Sequence, residues 1–507
     1  MILDDQTEVT AFLSTPATHG GTDPVEVLDT HISRVFLAGD RACKLKRAVL
    51  LPYADFSTPA IRLAACQKEY ALNAPTAPAI YRGFRSITRA ADGGLVFDGA
   101  GPLVDAVVDM ARFDQNLLLD RVAEAGNLTE GHIAALARSI EALHANAPVI
   151  GQIGGAANMA AVLDINRAGF ATSTVFQPDK VAALDEALRR NLGHHAGWLD
   201  RRARAGRVRR CHGDLHLRNI CLFEGAPQIF DCLDFNDALA TVDVLYDLAF
   251  LLMDLWHRDL RPLANLLANR YFDETETDDG WGLLPFFMAV RAEVRAHVTA
   301  TAAESAGTQR DALADLAREY FDLAWSFLRA EGGQVVAVGG LSGSGKTTIA
   351  ERIAPCIGLP PGARVIESDR TRKQMFGVAP EEHLPQEAYA PKVSDEVYHR
   401  VSARARQVAA SGGAVVVGAV FDQPGLRADL VTAMKTLSFT PLWLDVGAGR
   451  LHERLAARKA SASDATLDIL DLQLSHFEGG VEWRPVDGNG TLDETVAAIL
   501  CILRGAA

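Results

Sequence analysis

The segment Gly340-Leu341-Ser342-Gly343-Ser344-Gly345-Lys346-Thr347 constrains this chain more than any other. It matches G-x-x-x-x-G-K-[ST], follows the apolar run Gln334–Gly339 and opens a helical pattern at Lys346. A strand, a glycine loop and a helix in that order make a phosphate cradle. The glycines let backbone N–H groups turn inward around phosphate oxygens, and the helix N-terminus adds a field that favours an anion. Lys346 is expected to reach the β- and γ-phosphates, and the Thr347 hydroxyl to ligate Mg²⁺. Gly340, Ser342, Gly343, Ser344, Gly345, Lys346, Thr347 and Thr348 are the expected nucleotide-binding residues, with ATP and Mg²⁺ as cofactors.

Beyond the loop, strand-like and helix-like segments alternate. Strands are predicted at 363–366, 414–417, 441–446 and 483–486, and helices at 346–357, 392–410, 425–437, 450–459 and 492–503. Such alternation implies right-handed βαβ units and a parallel sheet covered on both faces. Asp369 follows the second strand, where residues of open α/β sheets face the ligand crevice. It is a candidate to take a proton from a substrate hydroxyl or to contact the metal, and Arg372 and Lys373 are candidate substrate contacts. Arg454 and Arg458 stand at i, i+4 and share a helix face, suited to closing over transferring phosphates as a lid. A helix cap for Asp369 and an exposed charged face for the arginines are the plainer alternatives.

The runs Ser368-Asp369-Arg370-Thr371-Arg372-Lys373, Ala388-Tyr389, Arg454-Leu455-Ala456-Ala457-Arg458 and Ser463-Asp464-Ala465 resemble small P-loop kinases. Gluconate-, shikimate- and zeta-toxin-type kinases are more distant relatives. The resemblance covers essentially all of 333–507 and implies phosphoryl transfer. One departure stands out. The third strand ends on Gly418, where such proteins often carry an acid, which implies that Asp369 bears more of the metal or that the site is weakened.

A second constellation lies upstream, in Cys211-His212-Gly213-Asp214-Leu215-His216-Leu217-Arg218-Asn219 and Ile229-Phe230-Asp231. An Asp, an Asn five residues later and a further acid beyond a short hairpin have the spacing of a kinase catalytic loop. Asp214 is suited to orient or accept the substrate hydroxyl proton, and Asn219 and Asp231 to hold Mg²⁺ through oxygen. His212 is expected to brace the loop. This set resembles the aminoglycoside phosphotransferase-like branch of the protein-kinase-like fold, and Asp243, Tyr246 and Asp247 extend the likeness. The resemblance implies that Asp247 braces the loop. Further upstream, Thr30-His31-Ile32-Ser33, Lys44-Leu45-Lys46 and Asp55-Phe56-Ser57-Thr58 resemble the N-lobe of a kinase-like subgroup fused to P-loop domains. Lys44 and Lys46 alternate on one strand, so both can face one side. The resemblance implies that one of them, preferably Lys44, pairs with the nucleotide's α/β-phosphates and with Glu69. Departures are Ala38-Gly39-Asp40 in place of a glycine-rich loop, Arg218 before Asn219, and Cys232-Leu233 after Asp231. The last disfavours a regulated protein kinase. Asp234 is an extra acid, for the metal or for a turn.

The expected architecture is an α+β protein-kinase-like (aminoglycoside phosphotransferase-like) two-lobed domain at 1–332, with lobes at about 1–108 and 109–332. An α/β P-loop kinase domain with a parallel sheet follows at 333–507, after the break Glu331-Gly332-Gly333. The expected function is ATP–Mg²⁺-dependent transfer of a γ-phosphoryl group to a small-molecule hydroxyl such as that of a sugar, from two nucleotide sites. The alternatives are that one domain is a nucleotide-binding regulator of the other, or that the chain is a zeta-toxin-like kinase. A net charge of −14 disfavours a nucleic-acid partner. The most apolar stretch, near residues 245–256, is interrupted by Asp247 and Asp254, so no membrane span is expected. Seven cysteines without a CxxC pair suit buried thiols in a reducing cytoplasm. Acceptor identity and oligomeric state have no signature in the sequence.

Overall fold

The computed structural model describes every residue except 1–3, 31, 52–53, 151–153, 276, 329–332, 380–381, 458–463, 478 and 506–507. His31, the Glu331-Gly332 break, Arg458 and Ser463 therefore lie outside the described residues. The chain packs as two compact units, Met1–Ala171 with Arg189–Asp254, and Thr172–Leu188 with Leu255–Ala507.

The first unit is built on a six-stranded antiparallel sheet. Its spatial order is Glu26–Asp29, Ser33–Ala38, Arg41–Lys46, Leu103–Ala111, Tyr81–Arg89 and Leu95–Phe97. Ser33–Ala38 and Arg41–Lys46 form a hairpin that closes through Gly39-Asp40, with Ala38 opposite Arg41. Strand periodicity sorts the side chains. Phe36, Cys43, Leu45, Ile87 and Val107 fill a core on one face, while Ala42, Ala106 and Val108 pack with Cys66 on the other. Cys66 belongs to the helix Pro59–Asn73, which starts where Thr58 accepts a hydrogen bond from the Ile61 amide and Pro59 occupies the first turn. Lys44 and Lys46 share the parity of Ala42, so both are directed toward this helix and its Glu69. Downstream, Val208–Arg210 pairs with Thr241–Asp243, and the hairpin Ile220–Phe223/Ala226–Ile229 stands between them in sequence. The loop 211–219 is thus tied at both ends.

The second unit contains a five-stranded, wholly parallel sheet in the order Arg364–Glu367, Val415–Gly418, Gln334–Gly339, Ser438–Asp445, Arg484–Asp487. Val336, Val338, Val416, Leu442 and Leu444 pack with Ile349, Ile353 and Ile499 from covering helices, which explains the near-continuous apolar strands. Three local expectations differ. The helix predicted to run through 437 ends at Met434, and the next strand starts at Ser438 because residues 438–440 pair with the central strand. The helix after the P-loop ends at Ile353, where Pro355 removes a backbone donor. The helix Leu467–His476, capped by Thr466, has no counterpart in the sequence reading.

The helices Arg261–Glu274, Leu284–Ala303 and Arg310–Phe327 complete this unit. The first of them covers the edge strand. Asn269 Oδ1 accepts the Val365 N–H at 2.8 Å, and Asn265 Nδ2 donates to the Pro361 and Ala363 carbonyls at 2.9 and 3.0 Å. An edge that would otherwise expose unpaired backbone groups is closed by two asparagines. The seven cysteines are free thiols, five of them buried. Among the described residues no helix is long and apolar enough to cross a membrane.

Candidate active sites

In the first unit Lys44, Lys46, Glu69, Asp231 and Asp234 converge. Lys44 Nζ lies 2.9 Å from Glu69 Oε1 and 2.5 Å from Asp231 Oδ1. Lys46 Nζ lies 2.5 Å from Glu69 Oε2 and 2.7 Å from Asp234 Oδ2. Burial alone pushes the Glu69 carboxyl up, but the two ammonium groups outweigh it and hold it down to about 2. The same carboxylates hold Lys44 charged against its own burial. The two lysines differ in access, since Lys46 and Asp234 are buried, whereas Lys44 ends on Asp231, whose carboxylate is about half exposed.

The catalytic-type loop is braced from behind. Asp247 accepts the amide hydrogens of His212 and Gly213 at 3.2 and 2.8 Å, and His144 Nε2 lies 3.1 Å away. His212 Nδ1 accepts the Asp214 N–H at 3.2 Å, so Nε2 carries the proton and donates to the Phe230 carbonyl at 3.0 Å. Burial lowers the pKa of this ring and keeps it neutral. Both nitrogens are committed to backbone, which makes His212 a brace. Gly213 has φ +86°, and a Cβ there would meet Leu233 and Ala240 side chains at 3.1 Å. On the open side, Asn219 Nδ2 donates to Asp214 Oδ2 at 3.0 Å and to the Asp214 carbonyl at 2.9 Å. That leaves Asn219 Oδ1 as an oxygen donor next to Asp214, and together with the Asp231 carboxylate these residues offer only oxygen ligands, the kind suited to Mg²⁺. Arg218 turns away to Asp120, Nε to Oδ2 3.2 Å.

Two residues of this site escaped the sequence reading. Asp231 sits at φ +60°, and its backbone is held in that bend by Tyr81 Oη, which accepts the Asp231 N–H at 3.3 Å, and Asn73 Oδ1, which accepts the Cys232 N–H at 2.8 Å. Asn73 ends the helix that carries Glu69, a pairing across 159 residues that no local pattern signals.

In the second unit a cavity of about 790 Å³ holds the P-loop residues 342–348 together with Glu367, Asp369, Arg372, Arg454 and Asp464. Gly343 has φ +83°, and a Cβ on it would come 2.8 Å from the Leu451 carbonyl oxygen. Ser344 Oγ is buried without a hydrogen-bond partner. The cradle thus needs its glycines and keeps a spare polar atom, as a phosphate-binding loop does. Lys346 Nζ donates to the Gly340 and Leu341 carbonyls at 2.8 and 3.0 Å, and the Ser342 N–H donates to Gln473 Oε1 at 2.9 Å. Gln473 lies on the helix that the sequence reading lacked.

Glu367 was also missed. It ends the edge strand, is buried and lines the same cavity as Thr347. Burial raises its pKa, and Arg370, with Nε 3.0 Å from Oε2, offsets part of that. Its strand neighbour is Gly418. The hydroxyl of Thr347 and the carboxylates of Glu367 and Asp369 are hard oxygen donors, so this site too fits Mg²⁺. Among the other predicted residues, Arg372 Nη1 donates to the Ala388 carbonyl at 2.5 Å and stacks over Tyr389. Lys373 is buried, with Nζ 3.1 Å from Asp464 Oδ1, and Tyr389 Oη donates to Asp464 at 2.6 Å. Arg454 Nη2 donates to the Gly488 carbonyl at 2.8 Å and Nη1 to that of Ser344 at 3.4 Å, so it is seated against the cradle itself.

Two family models match separate segments of the chain. Residues 110–286 match a family model described as the phosphotransferase enzyme family, and residues 335–479 match one described as an AAA domain. An uncharacterized protein of Mycobacterium tuberculosis is 27% identical over 462 residues, covering 88% of each chain. Among solved structures, a gluconokinase from Sinorhizobium meliloti is 26% identical and covers 35% of this chain and 95% of its own, with a TM-score of 0.25. A choline/ethanolamine kinase family protein from Mesorhizobium loti is 14% identical and covers 64% of this chain and 100% of its own, with a TM-score of 0.37.

Proposed function

This chain is a fusion of an aminoglycoside phosphotransferase-type domain with a P-loop kinase-type domain, an ATP-dependent phosphotransferase, and we propose that it carries two separate ATP–Mg²⁺ sites. Each serves transfer of the γ-phosphoryl group to a hydroxyl of a small molecule. The upstream site belongs to 1–332 and the P-loop site to 333–507. The observation that carries this reading is that each half brings a phosphate-binding lysine, oxygen donors for a metal and a carboxylate base into one place. In the first half these are Lys44 with Glu69, Asn219 with Asp231, and Asp214. In the second they are Lys346, Thr347 with Glu367, and Asp369.

In the upstream site Lys44, oriented by Glu69, holds the nucleotide phosphates, while Asp214 takes up the proton of the acceptor hydroxyl as its oxygen forms a bond to the γ-phosphorus. The bond from that phosphorus to the bridging oxygen breaks, and ADP leaves with the electron pair. In the P-loop site backbone N–H groups and Lys346 hold the phosphates, Asp369 stands as base, and Arg454 steadies the cradle from the Ser344 side. Arg372 shapes the acceptor wall, and Lys373 holds Asp464, which lines the cavity, from behind. Mg²⁺, when bound with ATP, neutralises charge on the β- and γ-phosphate oxygens.

The test is a panel of small hydroxyl compounds with γ-labelled ATP, run on the full chain and on Lys346→Ala and Asp214→Ala. Each variant is expected to lose one labelled product and keep the other. If one variant abolishes no transfer but shifts ATP affinity at the other site, one domain is a regulator. No transfer to any small hydroxyl compound, with ATP still bound, sinks the proposal.

A further inference from the structure

We infer that Asp273 is a positioning residue of the P-loop site, acting through Arg370 on Glu367. This rests on the reading of Glu367 and Thr347 as the metal-holding oxygens of that site. Arg370 stands one helical turn beyond Glu367 and holds it through Nε at 3.0 Å. Its Nη1 lies 3.8 Å from Asp273 Oδ2, so one guanidinium spans two carboxylates. Asp273 is fixed in turn, since its Oδ1 lies 2.6 Å from Arg364 Nη2 on the edge strand. Its Oδ2 lies 3.4 Å from Arg270 Nη1, and Arg270 Nη2 reaches Glu351 Oε1 at 2.6 Å. Glu351 lies on the helix Lys346–Ile353, one turn beyond Thr347. The chain of pairs therefore starts and ends on the two elements that supply the metal's oxygens, and Asp273 is its midpoint.

Asp273 lies within the segment that matches the phosphotransferase family, and Arg370 within the segment that matches the AAA domain. A residue contributed by one family's segment thus sets the geometry and charge of the other's site. The physical role is charge balance. Arg370 beside Glu367 places a cation next to the seat of a divalent cation. Asp273 offsets that charge and fixes the fork so that Glu367 stays turned toward Thr347. Remote carboxylates that orient metal-holding groups change metal affinity by about 10- to 100-fold when removed.

The experiment follows mant-ATP binding to the full chain as Mg²⁺ is titrated, in a Lys44→Met, Asp231→Asn background that removes the upstream site's phosphate-holding lysine and its metal acid. Asp273→Asn is expected to raise the half-saturating Mg²⁺ about 10-fold while Mg²⁺-free nucleotide binding stays as before. Asp273→Glu, which keeps the charge, returns the curve toward that of the parent. In an Arg370→Gln background the Asp273→Asn change loses its effect, because the link is gone. Should Asp273→Asn fail to fold, Arg370→Lys leaves the Arg364 and Arg270 pairs intact and, with one ammonium in place of a fork, raises the Mg²⁺ requirement in the same direction. Unchanged Mg²⁺ curves in folded Asp273→Asn or Arg370→Lys, with Lys346→Ala still abolishing binding, overturn the positioning role alone. Binding untouched by Lys346→Ala overturns the P-loop reading itself and the role of Asp273 with it.

Discussion

Glu367 lies over Gly418. The two residues are partners in adjacent parallel strands, and a Cβ built on Gly418 would stand 3.6 Å from Glu367 Cγ and 3.9 Å from Oε1. The glycine that looked like a missing acid is the floor beneath an acid supplied one strand over. Ordinary van der Waals room remains for a methyl group, so Gly418→Ala is expected to melt within about 0.5 kcal/mol of the parent. Gly418→Asp sets a second carboxylate against a buried one and is expected to cost about 1–3 kcal/mol. Thermal melting reads both, and a gain of P-loop activity in Gly418→Asp would refute the view that Glu367 fills the role.

Lys44 and Lys46 are adjacent in parity and opposite in consequence. Lys44→Met leaves Glu69 paired with Lys46 and removes the cation nearest the half-exposed Asp231. Transfer at the upstream site is expected to fall about 100-fold with little change in melting. Lys46→Met takes the counter-charge from the buried Asp234 and leaves the buried Glu69 with Lys44 alone, and is expected to cost about 3–5 kcal/mol. A melting curve and a single-site transfer assay on each variant separate the two roles, and the pattern reversed would exchange the assignments.

Arg218 stands in the catalytic-type loop yet pairs outward with Asp120, and its side chain is 64% exposed. Arg218→Ala is expected to leave the upstream kcat/KM within about twofold, since the guanidinium is committed to the buried Asp120 and the change falls on stability instead. A tenfold loss would show that the arginine reaches substrate.

Asp278 anchors the edge strand through Arg364 Nε at 2.8 Å and Arg404 Nε at 2.6 Å. Burial pushes its carboxyl up, but the two guanidinium groups hold it down to about 2. The unfolded chain takes up this proton near pH ~4, earlier than the folded one. The stabilisation, about 2 kcal/mol, is fully present above that value and is lost as pH falls toward the folded value of about 2. Melting temperature measured from roughly pH 7 down to roughly pH 2, the span that covers this loss, is expected to drop on the acid side. Asp278→Asn should lower stability at neutral pH and flatten that acid limb. An acid limb unchanged in the variant would assign it to other carboxylates.

Much of this molecule is written in local order. The P-loop with its flanking strand and helix, the alternation that yields a parallel sheet, and the Asp214–Asn219–Asp231 spacing all concern residues within a few positions of one another, where backbone geometry alone relates type to place. Period two on the strand also put Lys44 and Lys46 on one side before any partner was visible. What local order does not contain is which distant group completes a charge. Glu367 over Gly418, Asn73 and Tyr81 holding the bend at Asp231, Gln473 on the Ser342 amide and Asp273 behind Arg370 all join separate elements. Each such partner is an ordinary polar residue until packing removes water from it and leaves one counter-charge in reach. The sequence by itself determined the folds and the kind of chemistry, because hydrophobic period and motif spacing are short-range. The tertiary structure alone decided which acids and amides complete each site, because burial and electrostatic pairing act across space rather than along the chain.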